Sequence, residues 1–117
     1  NLDFYKQGYS YKSYKLIKGN ATQLEKSFQR NSIDGIATDP PYGRSSIVGA
    51  PSLRILYSEF LKSAHKVLKN NKYLVMLYPD SIDALKLISK KQWRVQKIGD
   101  IYVHGSLTRK LVVLKKV

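Results

Sequence analysis

The run Tyr73-Leu74-Val75-Met76-Leu77-Tyr78 carries an apolar or aromatic side chain at every position, between Asn71-Lys72 and Pro79-Asp80. A strand with one face in water alternates in polarity; one apolar throughout needs a packed layer on each side. Just before it, Leu53, Leu56, Tyr57, Phe60, Leu61, Ala64, Val67 and Leu68 form one broad stripe at helical spacing. Ser52 is the N-cap candidate, and Lys69 with Asn70-Asn71 closes the end. Shorter patterns predict strands at Tyr14–Ile17 and Ile33–Thr38 and helices at Ala21–Phe28 and Ser81–Lys90. Trp93–His104 and Lys110–Lys116 are β-rich runs joined by Gly105-Ser106-Leu107-Thr108, which predicts an antiparallel hairpin. Strands alternating with helices predict a three-layer α/β domain with a parallel sheet. The hairpin is expected to add one antiparallel strand at the end of that sheet.

With 117 residues, the chain holds one core and one domain. No apolar run approaches the ~20 residues of a membrane helix, and no apolar N-terminal stretch of the secretory kind is present. The absence of cysteine excludes disulfides, thiolate metal sites and a Cys nucleophile. Two histidines without cysteine argue against a metal site. A net charge of +13 points to a polyanion such as nucleic acid, although a solvated Lys-rich surface has the same composition. The chain opens at Asn1 rather than Met, as a processed product or a piece of a longer protein does.

The segment with chemical content is Asp39-Pro40-Pro41-Tyr42-Gly43, directly after the Ile33–Thr38 strand. Open α/β sheets place ligand sites at the carboxyl ends of their strands. Two prolines stiffen the backbone, so the Asp39 carboxylate and the Pro40 carbonyl hold fixed directions. Two convergent acceptors beside the flat ring of Tyr42 suit the exocyclic amine of a base. Stacking on such a ring is worth about 1–3 kcal/mol, and a charge-assisted hydrogen bond about 1.5–3 kcal/mol. A Pro-rich turn with a solvated Asp is the plain alternative.

The run Asp39-Pro40-Pro41-Tyr42-Gly43 resembles the fourth motif of S-adenosylmethionine-dependent amino-methyltransferases, which methylate adenine N6 or guanine N2. The longer stretch from Asp34 to Ser46 is similar to the archaeal and eukaryotic THUMP-containing tRNA (guanine-10-N2) methyltransferases. Val103-His104-Gly105-Ser106-Leu107-Thr108-Arg109 resembles the turn of their last hairpin, and Leu16 to Ala21 their third motif. The resemblance implies a Rossmann-like class I sheet with helices on both faces and a C-terminal antiparallel hairpin. It implies S-adenosylmethionine as cofactor and a guanosine in tRNA as target. Asp39, Pro40, Pro41 and Tyr42 would be the catalytic, base-binding residues, with Asp39 orienting the amine and Tyr42 stacking. Asn20, Ala21 and Asp39 would face the cofactor, Asn20 standing where the family usually has Asp. Apart from the resemblance, Gly43, Arg44 and Arg109 are RNA-contact candidates by their place at these motifs, with a bond to a neighbouring carbonyl the alternative for Arg109.

The family's Gly-rich loop and acidic ribose ligand do not occur in this sequence, in which no G-x-G is present. The expectation is therefore the C-terminal part of a catalytic domain, spanning 1–117 and lacking the first two strands. The remainder would come in cis or from a second chain, and cytoplasmic residence would follow from the tRNA target. Two other readings stay open: a DNA adenine-N6 methylase, and a non-catalytic RNA-binding or partner subunit. Lys62, Lys66 and Lys69, and Lys86, Lys90 and Lys91, line helical faces and read as solvated. His65 reads as solvated, and His104 as a structural hydrogen-bonding residue of the turn.

Overall fold

A computed structural model of the chain describes residues 14–40, 50–105 and 107–117. Helix α1, Ala50–Val67, buries the stripe set by its spacing: Leu53, Tyr57, Phe60, Leu61, Ala64 and Val67 are all at most 7 % exposed. It starts ahead of the expected cap, so Ser52 lies inside its first turn and Pro51 beside it. Proline is accepted there because first-turn N–H groups lack intrahelical partners.

Four strands form the sheet: β1 Ile33–Thr38, β2 Leu68–Pro79, β3 Trp93–His104 and β4 Leu107–Lys116. Their order is β1-β2-β4-β3, with β1 parallel to β2 and β4 antiparallel to both its neighbours. The antiparallel strand thus lies inside the sheet rather than at its end, and β3 takes the edge. Burial accounts for the choice. Val112 and Leu114 of β4 are fully buried, whereas Val95, Ile98 and Tyr102 of β3 stay exposed. The nominal strand β2 starts irregularly. Leu68 pairs with Ile33, Asn71 takes a positive φ of 66°, and regular pairing resumes from Tyr73 opposite Gly35.

One face of the sheet carries the core. Leu74, Met76, Val112 and Leu114 pack with α1, Ile82, Ala84, Ile88 and Trp93 in one cluster. The opposite face presents Gly35 and Ala37 exposed, with Val75, Leu77, Leu111 and Val113 only partly covered. The expected helices on both faces are therefore reduced to one covered face among the described residues. The two shorter helices also differ from expectation. Ala21–Lys26 is a 3-10 segment interrupted at Gln23, and Ser81–Lys90 contains a single 3-10 turn, Ala84–Leu87. The expected strand at Tyr14–Ile17 carries no regular structure. An extended segment becomes a strand only by pairing, and β1 pairs only with β2 among the described residues.

The carbonyls at the C-terminus of α1 and just past it are claimed by two separate parts of the chain. Asn31 N–H donates to the Lys66 carbonyl at 3.1 Å and Ser32 N–H to that of Val67 at 2.9 Å. The buried ammonium of Lys116 donates to the Leu68 carbonyl and to Asn31 Oδ1, both at 2.7 Å. A cation at a helix C-terminus also meets the negative end of its dipole. Nearer the middle of α1, buried Ser63 accepts from the Leu24 N–H at 2.6 Å and donates to Glu25 at 3.2 Å. That bond fixes the 3-10 segment on the helix.

His65 is half-buried, not solvated, and its ring stands edge-on to Trp93 with centroids 5.4 Å apart. Burial pushes its pKa below the ordinary 6.5, Lys116 acts in the same direction, and the Val117 carbonyl opposes them. The fold thus favours neutral imidazole. That contribution is present above about pH 6.5 and is lost as pH falls through the lowered folded value. Urea midpoints taken at about pH 7.5 and about pH 5 should fall further for the parent protein than for His65→Gln. Leu74→Ala, which empties a fully buried site, should cost about 2–5 kcal/mol in the same assay. Leu77→Ala, on the less covered face, should cost less.

Candidate active site

Side chains alternate along a strand, so Gly35, Ala37 and, past the strand end, Asp39 share one side of β1. On β4, Arg109, Leu111 and Val113 share one side in the same way. Arg109 stands opposite Pro79 of β2 and Ile101 of β3, so its backbone is flanked on both sides. Its guanidinium crosses the end of β2 and donates from Nη1 to Asp39 Oδ2 at 2.8 Å. The two side chains are 28 % and 42 % exposed, so the pair lies at the surface with the arginine the more covered partner. Two sequence motifs 70 residues apart thus meet at one carboxylate.

The next residue on β4 turns to the other side. Lys110 donates to Asp100 at 2.6 Å and lies 4.0 Å from Asp80, just past β2. Its hydrogen bond to Asp100 raises its pKa, and burial raises that of the adjacent Tyr78 phenol. The carboxyl end of the sheet therefore carries paired charge on both sides: Asp39–Arg109 on one, Asp100–Lys110–Asp80 on the other. The second group was not legible in the sequence, because it depends on β4 lying between β2 and β3. The alternation of Arg109 and Lys110 on a strand is its only trace.

The expected cofactor-side residues lie elsewhere on the same structure. Asn20 caps the 3-10 segment: its Oδ1 accepts from the Thr22 N–H at 2.9 Å and from the Thr22 hydroxyl at 2.7 Å. Both lone pairs of that oxygen are thereby used. Ala21 borders an apolar cleft of about 360 Å³ whose other walls include Leu24, Phe28, Ile36, Thr38 and Phe60. Ala21 and the residue preceding Asp39 therefore face one cavity, on the side of β1 away from β2. Pro40 follows Asp39 within the described residues, while Pro41, Tyr42, Gly43 and Arg44 lie outside them. No group of three metal-ligating side chains occurs among the described residues. The lysines read as solvated are partly engaged: Lys66 lies 3.7 Å from Glu25, Lys69 2.8 Å from Asp34 and Lys86 3.7 Å from Asp83.

The chain is 32 % identical over 111 residues to the tRNA (guanine(10)-N2)-dimethyltransferase of Methanothermobacter thermautotrophicus, covering 95 % of this chain and 32 % of that one. It is also 32 % identical over 117 residues to the Pyrococcus abyssi enzyme of the same name, covering 98 % and 33 %. The chain thus spans about a third of the length of the curated relatives it matches. Among solved structures, TrmN from Thermus thermophilus superposes with a TM-score of 0.71 at 20 % identity, over 86 % of this chain and 28 % of that one. A SAM-dependent methyltransferase of Methanosarcina mazei superposes with a TM-score of 0.61 at 12 % identity, over 85 % and 65 %. These likenesses fix the fold as the Rossmann-like class I methyltransferase type, a mixed open sheet with helices. Residues 7–110 match the family pattern described as UPF0020, RMKL-like, methyltransferase domain, and the chain belongs to that family.

Proposed function

We propose that this chain is the base-binding part of an S-adenosylmethionine-dependent enzyme that methylates the exocyclic N2 amine of a guanosine in tRNA. The observation that carries the reading is the meeting of Asp39 and Arg109, 2.8 Å apart at the carboxyl end of the sheet. It joins the two most specific motifs of the sequence where such folds bind their ligands. The names of the curated relatives, which are tRNA guanine-N2 methyltransferases, supply the target class. The charge of +13 suits a polyanionic substrate, and a cytoplasmic location follows from a tRNA target.

An aryl amine is a weak nucleophile, because its lone pair is delocalised into the ring. Asp39 and the Pro40 carbonyl would accept its two N–H groups and hold the lone pair toward the methyl donor. Tyr42 would stack on the extruded base. Pro41 would stiffen the segment, and Gly43 and Arg44 would meet the RNA backbone. S-adenosylmethionine, when bound, supplies an electrophilic methyl group on a sulfonium. The residues present fit its adenine end in part. Ala21 borders an apolar cleft of suitable size, whereas Asn20 Oδ1 is already committed to Thr22.

The rest of the cofactor site belongs to the remainder of the domain, supplied in cis or as a second chain. Two features support this: β1 has no ladder on its outer side among the described residues, and the second sheet face is incompletely covered. The test is transfer of labelled methyl from S-adenosylmethionine to tRNA, with the segment bearing the Gly-rich loop present. Asp39→Ala should lower kcat by roughly a hundredfold or more with little change in Tm. Methylation of adenine in DNA but not of tRNA would replace this reading with the DNA-methylase one. Turnover unaffected by Asp39→Ala would leave a non-catalytic RNA-binding part.

A further inference from the structure

We infer that Arg109 is a positioning residue for Asp39, and not chiefly a contact for the RNA backbone. The inference rests on the reading of Asp39 as the acceptor of the target amine. A carboxylate just past the end of a strand can rotate about two side-chain torsions, and each wrong rotamer aims its oxygens away from the base. Pro40 restrains the backbone after Asp39 but not those torsions. Arg109 supplies a restraint on them. Its backbone lies in β4, an interior strand paired on both sides, at Pro79 and at Ile101. Its guanidinium Nη1 holds Oδ2 at 2.8 Å.

The guanidinium is permanently charged and donates along a fixed direction, so its bond to Oδ2 holds that oxygen in place. Leu77 and Leu111 lie on the same sheet side one pair further in, on adjacent strands. The ion pair therefore lies beside apolar side chains on the same sheet face. The opposite assignment, a free cation reaching for phosphate, conflicts with the 28 % exposure of the Arg109 side chain and with its occupied Nη1.

The experiment is a double-mutant cycle on tRNA methylation in the complete enzyme, with Asp39→Asn, Arg109→Gln and the pair together. Circular dichroism and thermal melting of each variant establish folding, and Arg109→Lys serves as a conservative variant that keeps the charge. A positioning role lowers kcat of Arg109→Gln by roughly a hundredfold, with KM for tRNA within about twofold. The double variant is then no slower than Asp39→Asn alone, because the arginine acts only through the carboxylate. Arg109→Lys recovers part of the lost kcat, since a point charge restores the attraction but not the directed guanidinium donor. Three results overturn the inference: a raised KM with unchanged kcat and a shallower salt dependence, independent effects that multiply in the double variant, or a lysine variant no better than glutamine. Absence of tRNA methylation by the parent enzyme would instead overturn the proposed function, and with it the premise.

Discussion

Everything at the carboxyl end of the sheet is placed by what happens at the C-terminus of α1. A helix leaves its last carbonyls without intrahelical donors, and burying them unpaired is costly. Here Asn31, Ser32 and Lys116 supply the donors. Asn31 and Ser32 are the last residues before β1, and Lys116 is the last residue of β4. One set of hydrogen bonds therefore fixes where β1 begins, where β2 departs and where β4 ends. β1 then runs six residues, roughly 20 Å at the usual rise, and delivers Asp39 to the far end. β4 runs antiparallel, so the same anchor sets Arg109 at that end too. The ion pair is a consequence of this common origin.

The two faces of the sheet play different roles. The face under α1 carries the fully buried residues and hence most of the apolar stabilisation. The other face bears Asp39 and Arg109 at its end and a partly covered apolar strip behind them. The remainder of the domain proposed above would cover that strip. Among the described residues β1 pairs only with β2, and β1 also lines the cleft bordered by Ala21. Together they mark where such a complement would join.

Departures from the expected elements share one cause. Periodicity reports which residues want burial, not what is available to bury them. Ala21–Phe28 and Ser81–Lys90 carry helical spacing, yet settle as shorter 3-10 segments, because a few anchors suffice: Leu24 against the core and Ser63, and Ala84 within the cluster. Tyr14–Ile17 has strand composition but pairs with no strand among the described residues, and Leu16 remains 77 % exposed. His65 looks polar by position on its helix, and only the return of β3 brings Trp93 against it.

Local sequence determined a good deal here. The stripe on α1, the apolar run of β2 and the β-rich hairpin are periodic signals whose physical basis is local, and each stands in the structure. The position of Asp39 was likewise legible, because it directly follows the strand Ile33–Thr38 that the spacing predicts. Only the tertiary structure decided the order β1-β2-β4-β3, which side of the sheet is covered, and that Arg109 meets Asp39. These depend on contacts between residues tens of positions apart, whose energies arise when faces, edges and helix ends are satisfied together. No window of the sequence contains both partners of such a contact.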